Sequence, residues 1–276
     1  MAAKIITIAI QKGGVGKTTT AVNLAHALAY KPFNKRVLVI DMDPQSNATA
    51  ILSQNPKGGD KTIIDVFLDE DIKISACTTP SKVKGVSLIP STLDAFKLKT
   101  ALTPSSPKGI LGLKFKLAED PKFMDAYDYI IIDCQPDIVG PFVANALTAA
   151  DYLIIPLSAE SIFGLQGVDH FMKCVEDFNT VNPKLTFLGA LITFFDGRTN
   201  ASSMMEAQIL NYFGEENVFK TRISRTTGIG KAEIAGKTCI TYDTRLQGSR
   251  DYRSLAGELE SILSGTTVTV DLDDVE

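Results

Sequence analysis

Short apolar runs rich in β-branched residues alternate along the chain with longer stretches whose apolar residues recur at helical spacing. The runs are apolar at consecutive positions, which is typical of strands buried on both faces inside a parallel sheet. They cover residues 5–10, 36–40, 129–132, 152–156 and 185–194. The helical stretches cover residues 18–30, 140–149, 162–178 and 202–213, with a closing helix at about 250–263. This alternation predicts an α/β fold with a doubly wound, mostly parallel central sheet and helices on both faces.

Residues 54–122 interrupt the alternation, because prolines and glycines break its periodicity there. Short stretches with the pattern of a helix or a strand remain at residues 62–68, 86–89 and 92–100. No charge run or Gly/Ser-rich linker separates this segment from its neighbours, so we interpret it as an irregular elaboration of one domain over residues 1–264. Residues 265–276 are polar and acidic, and we expect them to form a disordered, frayed tail.

The composition narrows the class of protein without identifying it. The chain has 276 residues, 45% of them hydrophobic and 22% charged, and a formal net charge of −4. These values are ordinary for a globular protein, and the acidic balance excludes a uniformly basic nucleic-acid coat. Four scattered cysteines and two histidines disfavour a metal cluster. No apolar run approaches the roughly 20 residues that span a bilayer, so we expect a cytoplasmic protein without a membrane partner.

The most specific motif directly follows the first predicted strand and opens the first predicted helix. It is the string Lys12-Gly13-Gly14-Val15-Gly16-Lys17-Thr18, followed by Thr19. Glycines let successive backbone N–H groups turn inward around phosphate oxygens, and the helix N-terminus adds partial positive charge. The string therefore predicts a nucleotide-binding loop in which Lys17 contacts the β- and γ-phosphates and the Thr18 hydroxyl binds Mg²⁺. Gln11 stands where the common pattern has its first glycine.

Two of the predicted strands end in acidic residues. The strand over residues 36–40 leads into Asp41 and Asp43, and the strand over residues 129–132 leads into Asp133. Carboxylates at the C-terminal ends of parallel strands lie in the crevice where such sheets bind ligands. Asp133 has the position of a Walker B acid, which would hold a Mg²⁺-bound water. For Asp43 a cap on the following helix remains a second interpretation.

Lys12, at the start of the loop, distinguishes it from an ordinary phosphate loop. With this lysine the sequence resembles the deviant Walker A family of ATPases, and within it the ParA/Soj-type DNA partition ATPases. The resemblance implies ATP and Mg²⁺ as cofactors and a homodimer in which Lys12 crosses to the partner subunit's phosphates. It also implies that Asp43 positions or polarises the attacking water, and that Asp41 lies near the Mg²⁺. The alternative for Lys12 is a solvated surface lysine.

The resemblance covers about residues 4–53 and 127–262. Residues 189–199 resemble the family's strand and turn after the Walker B half, and residues 223–226 align with a stretch that lines the adenine. Ser224 and Thr226 are therefore expected base contacts, although Ser224 replaces the family's usual proline. The turn after Asp133 also departs from the family's usual Asp-x-Pro-Pro.

Residues 220–253 carry eight basic and three acidic residues, a net charge of +5 that leaves −9 for the rest of the chain. Because phosphate contacts act within a Debye length, an acidic protein can still hold DNA through such a segment. No interleaved aromatic pattern suggests stacking on single strands. We therefore expect sequence-independent binding to the duplex backbone, with a solvated charged helix face as the alternative. The expected phosphate contacts are Arg225, Lys231, Arg250 and Arg253.

The family resemblance favours a slow, partner-stimulated ATPase whose ATP dimer binds DNA at the nucleoid and positions a plasmid, a chromosome or another cargo with a ParB-like adaptor. A membrane-cycling ATPase similar to MinD is the first alternative, which the acidic tail disfavours because anionic lipid repels it. A bacterial tyrosine autokinase would carry a tyrosine-rich C-terminal tail, whereas the last tyrosine here is Tyr252. An electron carrier similar to nitrogenase reductase needs two cluster cysteines, and no suitable partner for Cys134 is present.

Overall fold

The computed structural model describes residues 3–55, 61–98, 102, 109–137, 140–160, 165, 167–268, 270 and 272. Eight strands of these residues form one sheet in the order β3-β4-β2-β5-β1-β6-β7-β8. The strands are β1 (Lys4–Ile8), β2 (Val37–Met42), β3 (Thr79–Pro80), β4 (Val86–Ile89), β5 (Tyr129–Cys134), β6 (Tyr152–Ser158), β7 (Thr186–Phe195) and β8 (Val218–Ser224). All neighbours pair in parallel except β3 and β4. The predicted α/β class is confirmed.

Eleven helices lie in the described part of the chain, with three short 3₁₀ turns at Ile74–Cys77, Leu93–Lys97 and Glu215–Asn217. They are α1 (Lys17–Ala29), α2 (Asn47–Leu52), α3 (Ile63–Leu68), α4 (Gly112–Ala118), α5 (Pro121–Asp125), α6 (Pro141–Ala149), α7 (Val168–Asn179), α8 (Asn200–Phe213), α9 (Thr227–Ile234), α10 (Cys239–Tyr242) and α11 (Gln247–Ser264). None of the described helices has the length and apolar character needed to cross a membrane.

The two faces of the sheet explain why its strands are apolar at consecutive positions. In the central strands β1, β2, β5 and β6, alternate residues belong to two separate hydrophobic cores. On one face, Ile6 and Ile8 pack with α1 and α11. On the other face, Ile5 belongs to the core that includes residues of α3, α4, α6, α7 and α8. This arrangement is the double winding that the sequence pattern predicts.

The start of one predicted helix and the absence of one strand from the prediction have local reasons. The helix predicted over residues 162–178 begins at Val168, because Gly167 takes a φ of 81° and starts the helix there; residues 162–164 and 166 of that prediction lie outside the described residues. The sequence analysis did not predict β8. This strand lies at the sheet edge and has exposed or half-buried residues at four of its seven positions, so it lacks the continuous apolar run of a central strand.

The elaboration over residues 54–122 continues the central sheet. Strand β4 pairs in parallel with β2, and the expected strand at residues 86–89 matches it. Lys116 is buried on α4, and its Nζ donates hydrogen bonds to the carbonyl oxygens of Asp69, Glu70 and Ile72. These bonds tie α4 to the end of α3. Residues 56–60, 99–101 and 103–108 of this segment lie outside the described residues.

The described residues after α11 fold back along that helix. The Val268 N–H donates to Ser261 Oγ at 2.9 Å, and Arg253 Nη1 donates to the Leu272 carbonyl oxygen at 3.1 Å. This differs from the expectation of a frayed tail, because the sequence pattern did not indicate that α11 offers these partners. Residues 269, 271 and 273–276 of the predicted tail lie outside the described residues.

Candidate nucleotide-binding site

The predicted phosphate loop connects β1 to α1 at the C-terminal edge of the sheet. Gly14 and Gly16 take φ angles of 71° and 84°, which side chains with a Cβ adopt only under strain. Gly16 is the N-cap of α1, and its carbonyl accepts a hydrogen bond from Thr20 N at 2.8 Å. The loop therefore places the N-terminus of α1 at the crevice along the C-terminal ends of the strands, as an anion-binding loop requires.

Residues far away in the sequence brace this loop. Thr193, near the end of β7, donates from Oγ1 to the Val15 carbonyl oxygen at 2.9 Å. A Cβ placed on Gly16 would lie 3.6 Å from the ring of Phe194, and one on Gly13 would lie 4.0 Å from Pro136. The sequence analysis assigned no role to these supports. Their only signal was that Thr193 and Phe194 belong to the stretch that resembles the family's strand and turn.

Lys17 is 6% exposed and stands at the first residue of α1. Its Nζ donates to the Lys12 carbonyl oxygen at 2.6 Å, across the base of the loop. Burial lowers the pKa of the Lys17 ammonium, while the charges of Asp133 and Asp43 oppose that shift. The three predicted charged residues are therefore close enough to interact at the loop. Lys12 itself is half-buried.

Asp41 and Asp133 are directly opposite each other on the paired strands β2 and β5, and both are fully buried. Asp41 Oδ1 accepts from the Asp43 N–H at 3.0 Å, and its Oδ2 accepts from Thr49 N and Oγ1 at 2.8 and 2.7 Å. Burial raises the pKa of Asp41 to about 6. With both oxygens engaged, Asp41 anchors the turn after β2 to α2.

Asp133 has a different environment. Neither of its carboxylate oxygens has a hydrogen-bond partner of good geometry among the described residues. Burial, followed by the charge of Asp41, raises the pKa of Asp133 well above its ordinary value, and the nearby Thr18 hydroxyl opposes the shift. A buried carboxylate without a hydrogen-bond partner destabilises the fold unless a cation, or a water bound to that cation, interacts with it.

The donor set around Asp133 fits Mg²⁺ together with a nucleotide. In the described part of the chain no group of three or more His, Cys, Asp or Glu side chains could hold a metal ion alone. Mg²⁺ in nucleotide sites is held by one or two protein oxygens plus phosphates and water. Thr18 and Asp133 supply that small set of oxygens, and the cation would stabilise the charged form of Asp133.

Asp43 lies beyond the end of β2 with its carboxylate near the loop. Its Oδ1 accepts from the Gln45 N–H at 2.8 Å, and the N-cap of α2 is Ser46. The second interpretation of Asp43, as the cap of the following helix, is therefore wrong. The carboxylate is held at the crevice by a turn that leaves its charge acting on Lys17.

Beside α1, the ends of β7 and β8 and the start of α9 enclose a cleft of about 550 Å³. Ser224 and Thr226, the two expected base contacts, both line it. The Ser224 N–H donates to Asp251 Oδ2 at 2.8 Å, and Thr226 Oγ1 caps α9 by accepting from the Gly228 N–H at 3.2 Å. The cleft is further lined by Thr19, Glu160, Phe194, Asp196, Arg198, Arg225, Thr227, Ile229, Gly230 and Glu233.

The four expected DNA contacts have unequal environments. Lys231 is exposed on α9 and Arg250 is half-buried on α11. Arg225 is exposed, and its Nε pairs with Glu160 Oε1 at 2.6 Å beside the cleft. Arg253 is 1% exposed, and its guanidinium lies 5.8 Å from the centre of the Tyr30 ring. The expectation that Arg253 contacts phosphate is therefore wrong for this conformation, because its position on α11 faces α1 and not solvent.

Two other arginines of the basic segment also have acidic partners. Arg222 Nε pairs with Glu206 Oε1 at 2.6 Å, and Arg245 Nε pairs with Asp243 Oδ1 at 3.3 Å. Glu206 and Glu160 lie outside residues 220–253, so they reduce the local positive charge that the sequence count suggests. Lys220, Lys231 and Lys237 remain exposed.

These features together define a phosphate-loop ATPase. They are the doubly wound sheet, the glycine loop with its buried lysine, the acids on the neighbouring strands and the adjacent cleft. A family model described as an AAA domain matches residues 3–187. The sporulation initiation inhibitor protein Soj of Bacillus subtilis is 37% identical over 259 residues, covering 93% of this chain and 98% of that protein. The chromosome-partitioning ATPase Soj of Thermus thermophilus is 35% identical over 261 residues, covering 92% and 94% respectively.

Among solved structures, cobyrinic acid a,c-diamide synthase of Mycobacterium smegmatis with bound ADP and magnesium is 30% identical. It superposes with a TM-score of 0.80, covering 98% of this chain and 99% of that chain. The chain thus belongs to the ParA/Soj family of partition ATPases, and the resemblance noted in its sequence is confirmed.

Proposed function

We propose that this partition ATPase is an ATP-driven switch: ATP closes a homodimer, the dimer binds duplex DNA without sequence preference, and a ParB-like adaptor stimulates slow hydrolysis. The convergence of Lys17, Asp133 and Asp43 at the phosphate loop carries the proposal. Such a protein would be cytoplasmic and associated with the nucleoid. The cargo is a plasmid, a chromosome or another assembly.

The residues of the loop, of the neighbouring strand ends and of the cleft would each have a separate role in binding or hydrolysing the nucleotide. Lys17, whose Nζ now donates to the Lys12 carbonyl oxygen, would turn its ammonium to the β- and γ-phosphates. Thr18 and Asp133 would hold Mg²⁺, with Asp41 behind them, and the metal supplies neutralisation of the phosphate charge. Asp43 would orient the attacking water through its carboxylate. Ser224 and Thr226 would line the adenine site in the cleft.

Lys12 would complete the site of the other subunit. Its carbonyl oxygen accepts a hydrogen bond from Lys17 Nζ, which positions the loop backbone that carries the Lys12 side chain. A lysine that reaches the partner's phosphates places a positive charge where hydrolysis develops negative charge. The site would then be complete only in the dimer, so we expect slow turnover by a single subunit.

Duplex binding would use basic residues of α9, of α11 and of the segment after β8. Lys231 is our first choice because it is exposed, with Arg250 next and Arg225 able to contribute once it leaves Glu160. One subunit offers few phosphate contacts, which gives weak binding at physiological salt. A dimer carries twice as many phosphate contacts on one rigid body. Once one subunit is bound, the other is at a high effective concentration near the duplex, so the affinity of the dimer for DNA is higher.

A salt titration of duplex binding with ATP, with ADP and without nucleotide tests this function. We expect tight binding only with ATP, equal affinity for unrelated sequences, and a log–log salt slope of several units. Lys231→Ala should reduce that slope by about one per subunit. Lys122→Ala, the same change at an exposed lysine of α5, is the matched control and should leave the slope unchanged. Equal binding in all three nucleotide states would contradict the switch.

A further inference from the structure

Strand β8 is the last strand of the described sheet, and α11 packs along it. Phe219 and Ile223 of β8 belong to the same hydrophobic core as Leu255 of α11. Only one side of an edge strand pairs with another strand, so the N–H groups on its outer side need other acceptors. Two carboxylates of α11 accept hydrogen bonds from N–H groups of β8.

Glu258 and Asp251 supply these carboxylates. The two oxygens of Glu258 accept from the N–H groups of Lys220 and Thr221, at 2.5 and 2.8 Å. Asp251 Oδ2 accepts from the Ser224 N–H at 2.8 Å. The two acids are seven positions apart on α11, which places them on one face and about 10.5 Å apart along the helix axis. Thr221 and Ser224 are three strand positions apart, about 10 Å, so the spacing of the acids matches that of the donors.

The end of β8 at Ser224 is the end that lines the candidate base cleft. The next residue, Arg225, donates from its N–H to the Phe195 carbonyl oxygen of β7 at 2.8 Å. The strand end is therefore held by β7 on one side and by Asp251 on the other. Asp251 is 7% exposed, and its second oxygen, Oδ1, accepts from Gln247 Nε2 at 2.7 Å. Both oxygens are engaged, which fixes the orientation of the carboxylate.

The identity of residue 224 gives this bond its importance. The sequences that this chain resembles usually have proline there, whose ring fixes φ and which has no N–H to donate. Ser224 can adopt a wider range of φ, and its N–H would lose its acceptor without Asp251. The bond to Asp251 therefore restricts the serine backbone as the ring restricts that of a proline.

We propose that Asp251 is a positioning residue for the nucleotide base: it holds the backbone of Ser224 at the wall of the cleft, where Ser224 contacts the base. The proposal rests on the base binding proposed above for Ser224 and Thr226. Asp251 is not among the described residues that line the cleft, so it acts through Ser224. Loss of Asp251 weakens the part of nucleotide binding that depends on the base and spares the part that depends on the phosphates.

Asp251→Ala in the full chain tests this with two probes, a non-hydrolysable ATP analogue and inorganic tripolyphosphate, each with Mg²⁺. Tripolyphosphate carries the phosphates without the base. We expect the affinity for the ATP analogue to fall by about fivefold to tenfold, as for a lost hydrogen bond, and the ratio of the two affinities to fall equally. Asp251→Asn should restore that ratio, because its amide oxygen can accept from the Ser224 N–H while its NH₂ group donates to the Gln247 amide oxygen.

Glu258→Ala is the matched control, because it removes the same charge and also takes a carboxylate from N–H groups of β8. Lys220 and Thr221 are not among the described residues that line the cleft. Urea unfolding should show that both alanine variants are less stable than the wild type, whereas only Asp251→Ala should lower the affinity ratio. An unchanged ratio in Asp251→Ala, or the same fall in Glu258→Ala, would make Asp251 a purely structural residue and overturn the proposal.

A second pair of variants keeps the test decisive if Asp251→Ala alone does not fold. Ser224→Pro removes the N–H donor, so Asp251→Ala in that background leaves no N–H of residue 224 without its acceptor. Because the bond is already absent, Asp251→Ala should not lower the affinity ratio any further there. A further fall in this background would contradict the role of Asp251.

The outcomes also separate this proposal from the function on which it rests. If the wild type binds the ATP analogue more tightly than tripolyphosphate and Asp251→Ala keeps the same ratio, only the role of Asp251 fails. If the wild type binds both probes equally, the base binding proposed for the cleft fails, and the role of Asp251 fails with it.

Discussion

Two aspartates, Asp41 and Asp43, stand two positions apart at the end of β2, yet their surroundings give them different tasks. Asp41 is fully buried, and its oxygens are occupied by Thr49 and the Asp43 backbone. Within the described residues, the Asp43 side chain accepts a hydrogen bond only from the Gln45 N–H, in its own turn. A carboxylate that acts on water must keep an oxygen available, and Asp43 meets that condition better than Asp41.

Asp43→Asn tests this assignment with little change in shape, because the amide oxygen can still accept from the Gln45 N–H. We expect ATP-dependent dimerisation to persist and phosphate release to fall by at least about a hundredfold, the usual contribution of a general base. Asp177→Asn, at an exposed position of α7, serves as the control. Lys17→Ala should instead lose nucleotide binding itself. Unchanged phosphate release in Asp43→Asn would refute the role of Asp43.

At the scale of elements, α1 connects the phosphate loop to α9 and α10 through one row of polar side chains. Thr19 Oγ1 donates to Glu233, Asn23 Oδ1 accepts from the Cys239 N–H at 2.7 Å, and His26 Nδ1 lies 2.6 Å from Thr238 Oγ1. These α1 residues are three or four positions apart, which places them on one face of the helix. The helix that starts at the phosphate loop therefore supports α9, which carries the exposed Lys231.

His26 makes this contact sensitive to pH. Burial lowers the pKa of His26 to about 4, while the unfolded chain protonates near the ordinary value of about 6.5. The contribution of neutral His26 to the free energy of unfolding is present above pH 6.5, and it is lost as the pH falls toward 4. The full difference is on the order of 3 kcal/mol. Urea unfolding across this pH range measures it.

The chain contains a matched control for this prediction, because its only other histidine, His170, is exposed on α7. His26→Gln should flatten the fall in stability between pH 6.5 and 4, whatever its effect at neutral pH. His170→Gln should leave the pH dependence as it is. The same slope in both variants would show that His26 is not responsible for the acid sensitivity.

At the scale of the whole molecule, the nucleotide site lies at one edge of the sheet, and only the side chain of Lys12 is assigned to a different subunit. If that assignment is right, Lys12→Ala should bind ATP and remain a monomer, because the bond across the interface is absent. Light scattering with ATP and Mg²⁺ measures the mass directly. Lys184→Ala, at an exposed lysine before β7, should dimerise normally. A Lys12→Ala dimer with normal hydrolysis would make Lys12 a surface residue.

Much of the nucleotide site was predictable because its signals are local. The glycines of the loop, Lys17 and the acids after two apolar strands are each encoded within a few residues. Parallel pairing brings strand ends to the same edge of the sheet, so the sequence places Asp41 and Asp133 at one edge, and the pairing of β2 with β5 then makes them direct neighbours. Edge strand β8 was not predictable in this way, because most of its positions are exposed or half-buried.

By itself, therefore, the sequence determined the fold class, the phosphate loop and the acids that face it, since hydrophobic period and backbone chemistry act over short distances. The tertiary structure decided which charges remain available. Arg225 pairs with Glu160, and Arg253 lies under Leu272, although both count equally in a sum of charges along the chain. Partners that are remote in sequence set burial and pairing, and these determine what a charged side chain can bind.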